Sequence, residues 1–167
     1  IQGYALGIET PVGNILHTGD FKIDQNPLGG HFTDLEGIKA FSEPGVKLML
    51  SDSTNVEREG RALTELEVKQ TLQEIFTQAE GRVVMTLFSS HVQRIQEIAD
   101  LARQFGRRIA VTGRSLVNTI EVARKLGLLD VSQDVFCELQ ELKDIPDEEV
   151  VLLVTGSQGE PMSALTR

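Results

Sequence analysis

A carboxylate follows directly on a short apolar strand near the start of the chain, in the run Ile15-Leu16-His17-Thr18-Gly19-Asp20. A strand end is a rigid support for a side chain, and Gly19 lets the backbone come close to whatever Asp20 faces. This arrangement suits a metal ligand or a catalytic acid or base. A Gly-Asp pair is also ordinary turn chemistry, so the local sequence leaves both interpretations open.

Further polar groups occur in four loops that each follow a predicted apolar strand, at residues 51–55, 89–91, 112–115 and 155–161. Right-handed crossovers place such loops at one edge of a parallel sheet, where α/β proteins bind ligands. Backbone amides at helix starts, serine hydroxyls and arginine forks hold phosphates, although Ser and Thr also serve as ordinary helix N-caps. The candidate anion-binding residues are Ser89, Ser90, His91, Arg94, Arg114, Ser157 and Gly159.

The elements that position these groups begin with a predicted hairpin. Strands at residues 4–10 and 15–17 flank the turn sequence Pro11-Val12-Gly13-Asn14, which is typical of a tight connection between strands. A short helix is predicted from Thr33 or Asp34 to Phe41.

From residue 46 onward, apolar strands alternate with amphipathic helices. The predicted strands are residues 46–50, 83–88, 109–111 and 150–154. Thr64 and Glu67 form a capping-box signature at the start of one helix, and Gly127 is a stop signal for another. Near-continuous apolar strands separated by helices indicate a parallel sheet covered on both faces. The sequence therefore predicts an α/β fold.

The amino-acid composition of the chain excludes several classes of function. The 167 residues include 16 Lys and Arg against 25 Asp and Glu, a net charge of −9, which argues against indiscriminate binding to nucleic acid but allows a local basic channel. The single cysteine excludes an internal disulfide, and three scattered histidines are too few for a self-contained zinc site. Without a membrane-length apolar run or a signal-peptide pattern, we expect a cytoplasmic protein. Both ends look cut from a longer protein.

Three runs in this order resemble successive signatures of bacterial ribonuclease J: Thr18-Gly19-Asp20-Phe21-Lys22, Leu50-Ser51-Asp52-Ser53-Thr54-Asn55 and Thr155-Gly156-Ser157-Gln158-Gly159-Glu160-Pro161-Met162. The stretches at residues 88–94 and 113–115 resemble further parts of the same family. This family belongs to the metallo-β-lactamase superfamily and carries an inserted β-CASP domain. The resemblance implies part of a metallo-β-lactamase sheet in residues 1–54. Residues 55–167 would then be a β-CASP domain, incomplete at its C-terminal end, with a mainly parallel sheet flanked by helices.

The resemblance also implies an activity. Such enzymes use two zinc ions to hydrolyse RNA phosphodiesters, as 5′–3′ exonucleases or endonucleases, in rRNA processing and mRNA decay. It assigns Asp20 to the carboxylate that bridges the metals, and it assigns Asp52 to orienting a metal-ligand histidine by hydrogen bonding. The implied partners are RNA, preferentially 5′-monophosphorylated, and further copies of the full-length protein, with no membrane.

The superfamily's His-x-His-x-Asp-His cluster, which supplies most metal ligands, does not occur in these 167 residues. We therefore expect the fragment alone to bind neither metal tightly and to leave RNA uncleaved. Two alternatives to the ribonuclease remain open. One is a β-CASP hydrolase with an altered substrate, because fold alone does not determine function. The other is a catalytically degenerate paralogue that serves as an RNA-binding or assembly subunit.

Overall fold

The computed structural model describes residues 3–156. The chain divides into two compact units, Ile1–Val68 and Lys69–Arg167. The boundary predicted from the resemblance, between residues 54 and 55, stays a prediction.

The first unit contains a three-stranded sheet in the order β1-β2-β3, with β1 at Leu6–Ile8, β2 at Asn14–His17 and β3 at Val46–Leu50. β1 and β2 are antiparallel, which confirms the predicted hairpin. Helix α1, Leu35–Ser42, lies between β2 and β3 in the chain, and its N-cap is Asp34, whose carboxylate accepts the Gly37 N–H at 2.8 Å. A helical connection allows β3 to run parallel to β2.

β3 belongs to this sheet with β2, and it has no place in the sheet formed by the later strands. The expectation that four strand-ending loops share one sheet edge was therefore wrong for residues 51–55. The repeated strand-loop-helix pattern is a local signal, and it does not specify which strand supplies the hydrogen-bonding partner.

Helix α2, Glu65–Gln78, begins with the predicted capping box. The Thr64 N–H and hydroxyl donate to Glu67 Oε2 at 2.8 and 2.9 Å, and the Glu67 N–H donates to the Thr64 hydroxyl at 3.2 Å. Both terminal nitrogens of the Arg61 guanidinium donate hydrogen bonds to the Glu67 carboxylate. The Arg61 hydrogen bonds, and then those from Thr64, hold the pKa of Glu67 far below its usual range.

The second unit contains a four-stranded sheet in which all neighbours are parallel. Its strands are β4 (Val83–Thr86), β5 (Arg108–Thr112), β6 (Phe136–Cys137) and β7 (Val150–Val154), in the order β4-β7-β5-β6. Helices α3 (Val92–Gln104) and α4 (Arg114–Lys125) alternate with the strands. Short 3₁₀ helices occur at Gln133–Val135, Leu139–Asp144 and Asp147–Glu149. The predicted fold class, an α/β fold with a mainly parallel sheet flanked by helices, is confirmed.

Successive residues of β5 enter two different apolar clusters. Ile109 packs with Val151 and Leu153 of β7 and with the buried faces of α3 and α4. Ala110 packs on the other side with Val150 and with Leu142 of the second 3₁₀ helix. Because side chains alternate across a strand, the central strands β5 and β7 are buried on both faces. This double burial explains why these two strands read as continuous apolar runs. Among the described residues, no helix is long and apolar enough to cross a membrane.

Truncating a buried leucine of α4 should cost far more stability than truncating an exposed one beside the same helix. Leu116 is fully buried and Leu126 is 66% exposed. We expect Leu116→Ala to lower the free energy of unfolding by about 2–5 kcal/mol, and Leu126→Ala to change it by no more than about 0.5 kcal/mol. Denaturant unfolding followed by circular dichroism measures both, and equal losses would contradict this packing.

Candidate functional site

Parallel pairing of β2 with β3 brings the two carboxylates selected from the sequence to one place. His17 pairs with Leu50 at the ends of these strands, and the Thr18 N–H donates to the Leu50 carbonyl at 3.0 Å. Asp20 and Asp52, in the loops that follow, both line an open depression of about 410 Å³. The other lining residues are His17, Gly19, Met49, Leu50 and Ser51.

The hydroxyl of Thr18 connects the two loops that carry these carboxylates. It accepts the Asp52 N–H at 3.0 Å and donates to the Gly19 carbonyl at 2.7 Å. A hydroxyl can do both at once, since it has one donor and two acceptor positions. The Asp52 backbone is therefore fixed against the backbone that leads into Asp20.

Gly19 is required for the close backbone approach next to Asp20. Its φ of +61° lies in the left-handed region, and a Cβ atom there would meet the Tyr4 carbonyl oxygen at 2.6 Å. The loop before Asp20 thus lies against the backbone leading into β1. The expectation that Gly19 lets the backbone approach whatever Asp20 faces stays a prediction.

The Asp52 carboxylate is held by hydrogen bonds from its own loop. Thr54 donates from its hydroxyl at 2.6 Å and from its N–H at 3.0 Å. These bonds, followed by smaller contributions from the backbone N–H groups of Phe21 and Ser53, hold the pKa of Asp52 below its usual range. Asp52 therefore presents an ionised carboxylate whose direction is set by the protein.

His17 also lines the depression, and sequence reasoning missed it. Its Nδ1 accepts the Gly19 N–H at 3.0 Å, so the imidazole helps to hold the turn before Asp20. The signal was its position, immediately before Thr18-Gly19-Asp20 at the end of the same strand.

The donors in the depression are of the kinds that zinc binds, since carboxylate oxygen and imidazole nitrogen are common zinc ligands. The set fits part of a metal site. Within residues 3–156, no three His, Cys, Asp or Glu side chains approach closely enough to hold an ion, although His17, Asp20 and Asp52 share the depression.

The carboxyl edge of the four-stranded sheet carries those of the other candidate residues that the structure describes. β4, β7 and β5 are neighbours and parallel, so the loops that follow them emerge side by side. The Leu87 N–H donates to the Val154 carbonyl at 3.4 Å. A Cβ atom at Gly113 would lie 2.7 Å from the Thr155 hydroxyl oxygen, which shows how closely the loops after β5 and β7 approach each other.

The side chains at this edge differ in their exposure to solvent and in the contacts that they make within the protein. His91 is the N-cap of α3, and its Nδ1 accepts the Arg94 N–H at 3.2 Å. The Arg94 guanidinium lies 3.4 Å from the Glu97 carboxylate on the same helix. Ser90 and Arg114 are exposed, and Ser89 is half-buried. The predicted residues Ser157 and Gly159 lie outside the described residues.

The second unit is a mixed α/β domain with a parallel sheet, and its sequence matches a family model. The family described as "Ribonuclease J, beta-CASP domain" matches residues 80–167. The chain belongs to this ribonuclease J β-CASP family.

Curated relatives named Ribonuclease J match nearly the whole chain. The protein of Synechocystis sp. is 45% identical over 99% of this chain, and that of Thermus thermophilus is 42% identical over 96%. The protein of Helicobacter pylori (strain J99) is 42% identical over the full chain. The matched regions cover 26%, 28% and 24% of these relatives, so the chain spans about a quarter of their length.

Among solved structures, a protein of unknown function from Enterococcus faecalis V583 has the same fold over 93% of this chain and 39% of its own. The TM-score is 0.55 and the sequence identity is 15%. At this identity the likeness concerns the fold alone.

Replacing Gly19 should destabilise the protein more than replacing a glycine of similar conformation in open space. Gly30 has a φ of +72°, and a Cβ atom added there would have nothing within 4 Å. Gly30→Ala should therefore lower the free energy of unfolding by about 1–2 kcal/mol, mainly because alanine disfavours the left-handed backbone conformation. Gly19→Ala should lose at least about 1 kcal/mol more, because the Tyr4 carbonyl must move. Chemical denaturation of both variants tests this difference. Indistinguishable losses would count against the close contact.

Removing the Thr54 hydroxyl should raise the pKa of Asp52. Thr54→Val deletes the hydrogen bond that lowers this pKa most, whereas Thr54→Ser retains a hydroxyl as the control. Because the folded-state pKa is depressed, these bonds stabilise the fold above about pH 4. Their contribution is lost as the pH falls through the lowered pKa. A titration of the Asp52 carboxyl carbon by NMR should show an upward shift in Thr54→Val only.

Proposed function

We propose that this chain is part of a zinc-dependent ribonuclease that hydrolyses RNA phosphodiester bonds, as a 5′–3′ exonuclease or an endonuclease. Family membership and the placement of Asp20 beside Asp52 in one depression support this proposal, and the depression is the observation that carries it. The chain contributes two carboxylates from adjacent parallel strands, and other parts of the protein complete the ligand set.

The two carboxylates would have different roles. Asp20 is exposed at the depression and would supply a carboxylate ligand to zinc. The Asp52 carboxylate accepts two hydrogen bonds from Thr54, which favours a role in orienting a metal-ligand histidine over direct coordination. Zinc held there would supply the activation of water for attack on a phosphodiester and would offset the developing negative charge. His17 and Thr18 would keep the Asp20 turn in place.

RNA would be bound in part by the loops at the carboxyl edge of the four-stranded sheet. Ser89, Ser90, His91, Arg94 and Arg114 are the candidate contacts there, together with Ser157 and Gly159. The exposed Ser90 and Arg114 suit a phosphate, including the 5′-monophosphate of processed RNA. A net charge of −9 requires such contacts to be local, because phosphates are repelled by the chain as a whole. We place the protein in the cytoplasm, in rRNA processing and mRNA decay, as a homo-oligomer at full length.

We also propose that these 167 residues alone do not cleave RNA. A catalytic zinc ion takes three protein ligands, and the described residues bring no such set within reach of one ion.

Neutralising either carboxylate should lower RNA cleavage by the full-length protein that contains this segment. We expect Asp52→Asn to reduce kcat/KM about 10–100-fold, as for residues that orient metal ligands, and Asp20→Asn to reduce it further and to weaken zinc binding. Asp34→Asn is the matched control, because Asn and Asp cap helices about equally well.

Cleavage of a labelled 5′-monophosphorylated RNA measures the activity, and competition with a chelator measures zinc affinity. Unchanged zinc affinity and activity in Asp20→Asn would sink the proposal. A parent protein that binds this RNA without cleaving it would favour the degenerate paralogue instead.

A further inference from the structure

A second set of contacts, beyond the depression, holds the segment that carries Asp20. The Asp24 Oδ2 accepts the Glu65 N–H at 2.7 Å, and its Oδ1 accepts the Asn26 N–H at 2.8 Å. The Asp24 side chain is only 9% exposed. Both carboxylate oxygens of Asp24 are therefore engaged by backbone groups, one nearby and one 41 residues away in the chain.

The ammonium group of Lys22 lies near the carboxylates of both Asp24 and Glu65 and stabilises this contact. Its ammonium donates to Glu65 Oε1 at 2.8 Å and lies 3.7 Å from Asp24 Oδ2. Without a cation here, the Asp24 and Glu65 carboxylates would repel each other. Because opposite charges at these distances attract, Lys22 favours the docked position of the Asp24 loop.

The contact is made at the first turn of α2, where backbone N–H groups have no partner within the helix. The Thr64 hydroxyl accepts the Glu67 N–H, and Asp24 accepts that of Glu65. A carboxylate is also favoured at a helix N-terminus by the helix dipole. The helix start therefore serves as a fixed attachment for the loop after Asp20.

The same segment is attached on its other side. The Thr18 hydroxyl accepts the Asp52 N–H at 3.0 Å, and the Thr18 N–H donates to the Leu50 carbonyl at 3.0 Å. Asp20 is exposed and lies between the two sets of contacts. Its own carboxylate can therefore face the depression while its backbone is held by its neighbours.

We propose that Asp24, assisted by Lys22, is a positioning residue that holds the Asp20 carboxylate in place for metal binding. This inference rests on the proposed function of Asp20. A metal ligand must be held within about 0.5 Å of its productive position. A loop attached on one side only would have to be ordered each time a metal binds, and that ordering opposes binding.

The test uses the full-length protein that contains this segment, with Asp24→Ala, Asp24→Asn and Lys22→Met. Zinc affinity is measured by competition with a chromophoric chelator, and hydrogen exchange at residues 18–24 is measured on the chelator-treated protein. We expect Asp24→Ala to weaken zinc binding about 10–100-fold, to accelerate exchange in this segment, and to lower kcat while KM for RNA stays unchanged. Asp24→Asn should recover part of each loss, because its amide oxygen can still accept the Glu65 N–H.

Asp34→Ala is the matched control for general destabilisation, since it removes another aspartate that accepts a helix N-terminal N–H. It should lower the unfolding midpoint without changing zinc affinity or exchange at residues 18–24. If Asp24→Ala behaves like Asp34→Ala in all these measurements, the inference is overturned and the proposed function stands.

Two further outcomes separate the inference from the function on which it rests. If Asp20→Asn leaves zinc affinity and cleavage unchanged, the proposed function fails, and the inference about metal placement fails with it. If Asp24→Ala does not fold, Lys22→Met decides: faster exchange at residues 18–24 with weaker zinc binding supports the inference, and no change in either overturns it.

Discussion

Parallel strand pairing is the constraint on which both candidate sites depend. Strands that run in the same direction end at the same edge of a sheet, so the residues that follow them emerge together. Pairing of β2 with β3 places Asp20 beside Asp52. Pairing of β4, β7 and β5 gathers three loops at one edge of the other sheet. Each site is thus a consequence of the backbone pairing of parallel strands.

Hydrogen bonds within and between the loops after β2 and β3 then set the positions of these loops. Thr18 ties the two loops through one hydroxyl, and the left-handed Gly19 lets the chain pass the Tyr4 carbonyl. His17 uses Nδ1 to support the same turn. The Thr18 hydroxyl and His17 Nδ1 accept backbone N–H groups that would otherwise need water as a partner. A loop fixed in this way presents its carboxylate at little further cost in conformational entropy.

Local signals in the sequence were sufficient for most elements. Asp34 caps α1 and Thr64 pairs with Glu67 at the start of α2, because capping involves residues only three positions apart. The alternation of apolar strands with helices correctly predicted the parallel α/β class. Strand β6 was missed, since Phe136 and Cys137 are too short a run to show any periodicity. The sheet partner of β3 was also missed, because pairing is decided by residues distant in the chain.

The sequence by itself determined the class of fold, the family resemblance and the identity of Asp20 and Asp52 as site candidates. Only the tertiary structure decided that His17 lies in the same depression, that Arg94 faces Glu97, and that Asp24 docks on the start of α2. The physical reason is the range of the interactions. Turn, cap and periodicity signals act over a few residues. Strand register joins residues as distant in the chain as Val83 and Val151, and the hydrogen bond from Glu65 to Asp24 joins residues 41 positions apart. Both depend on the whole packed unit.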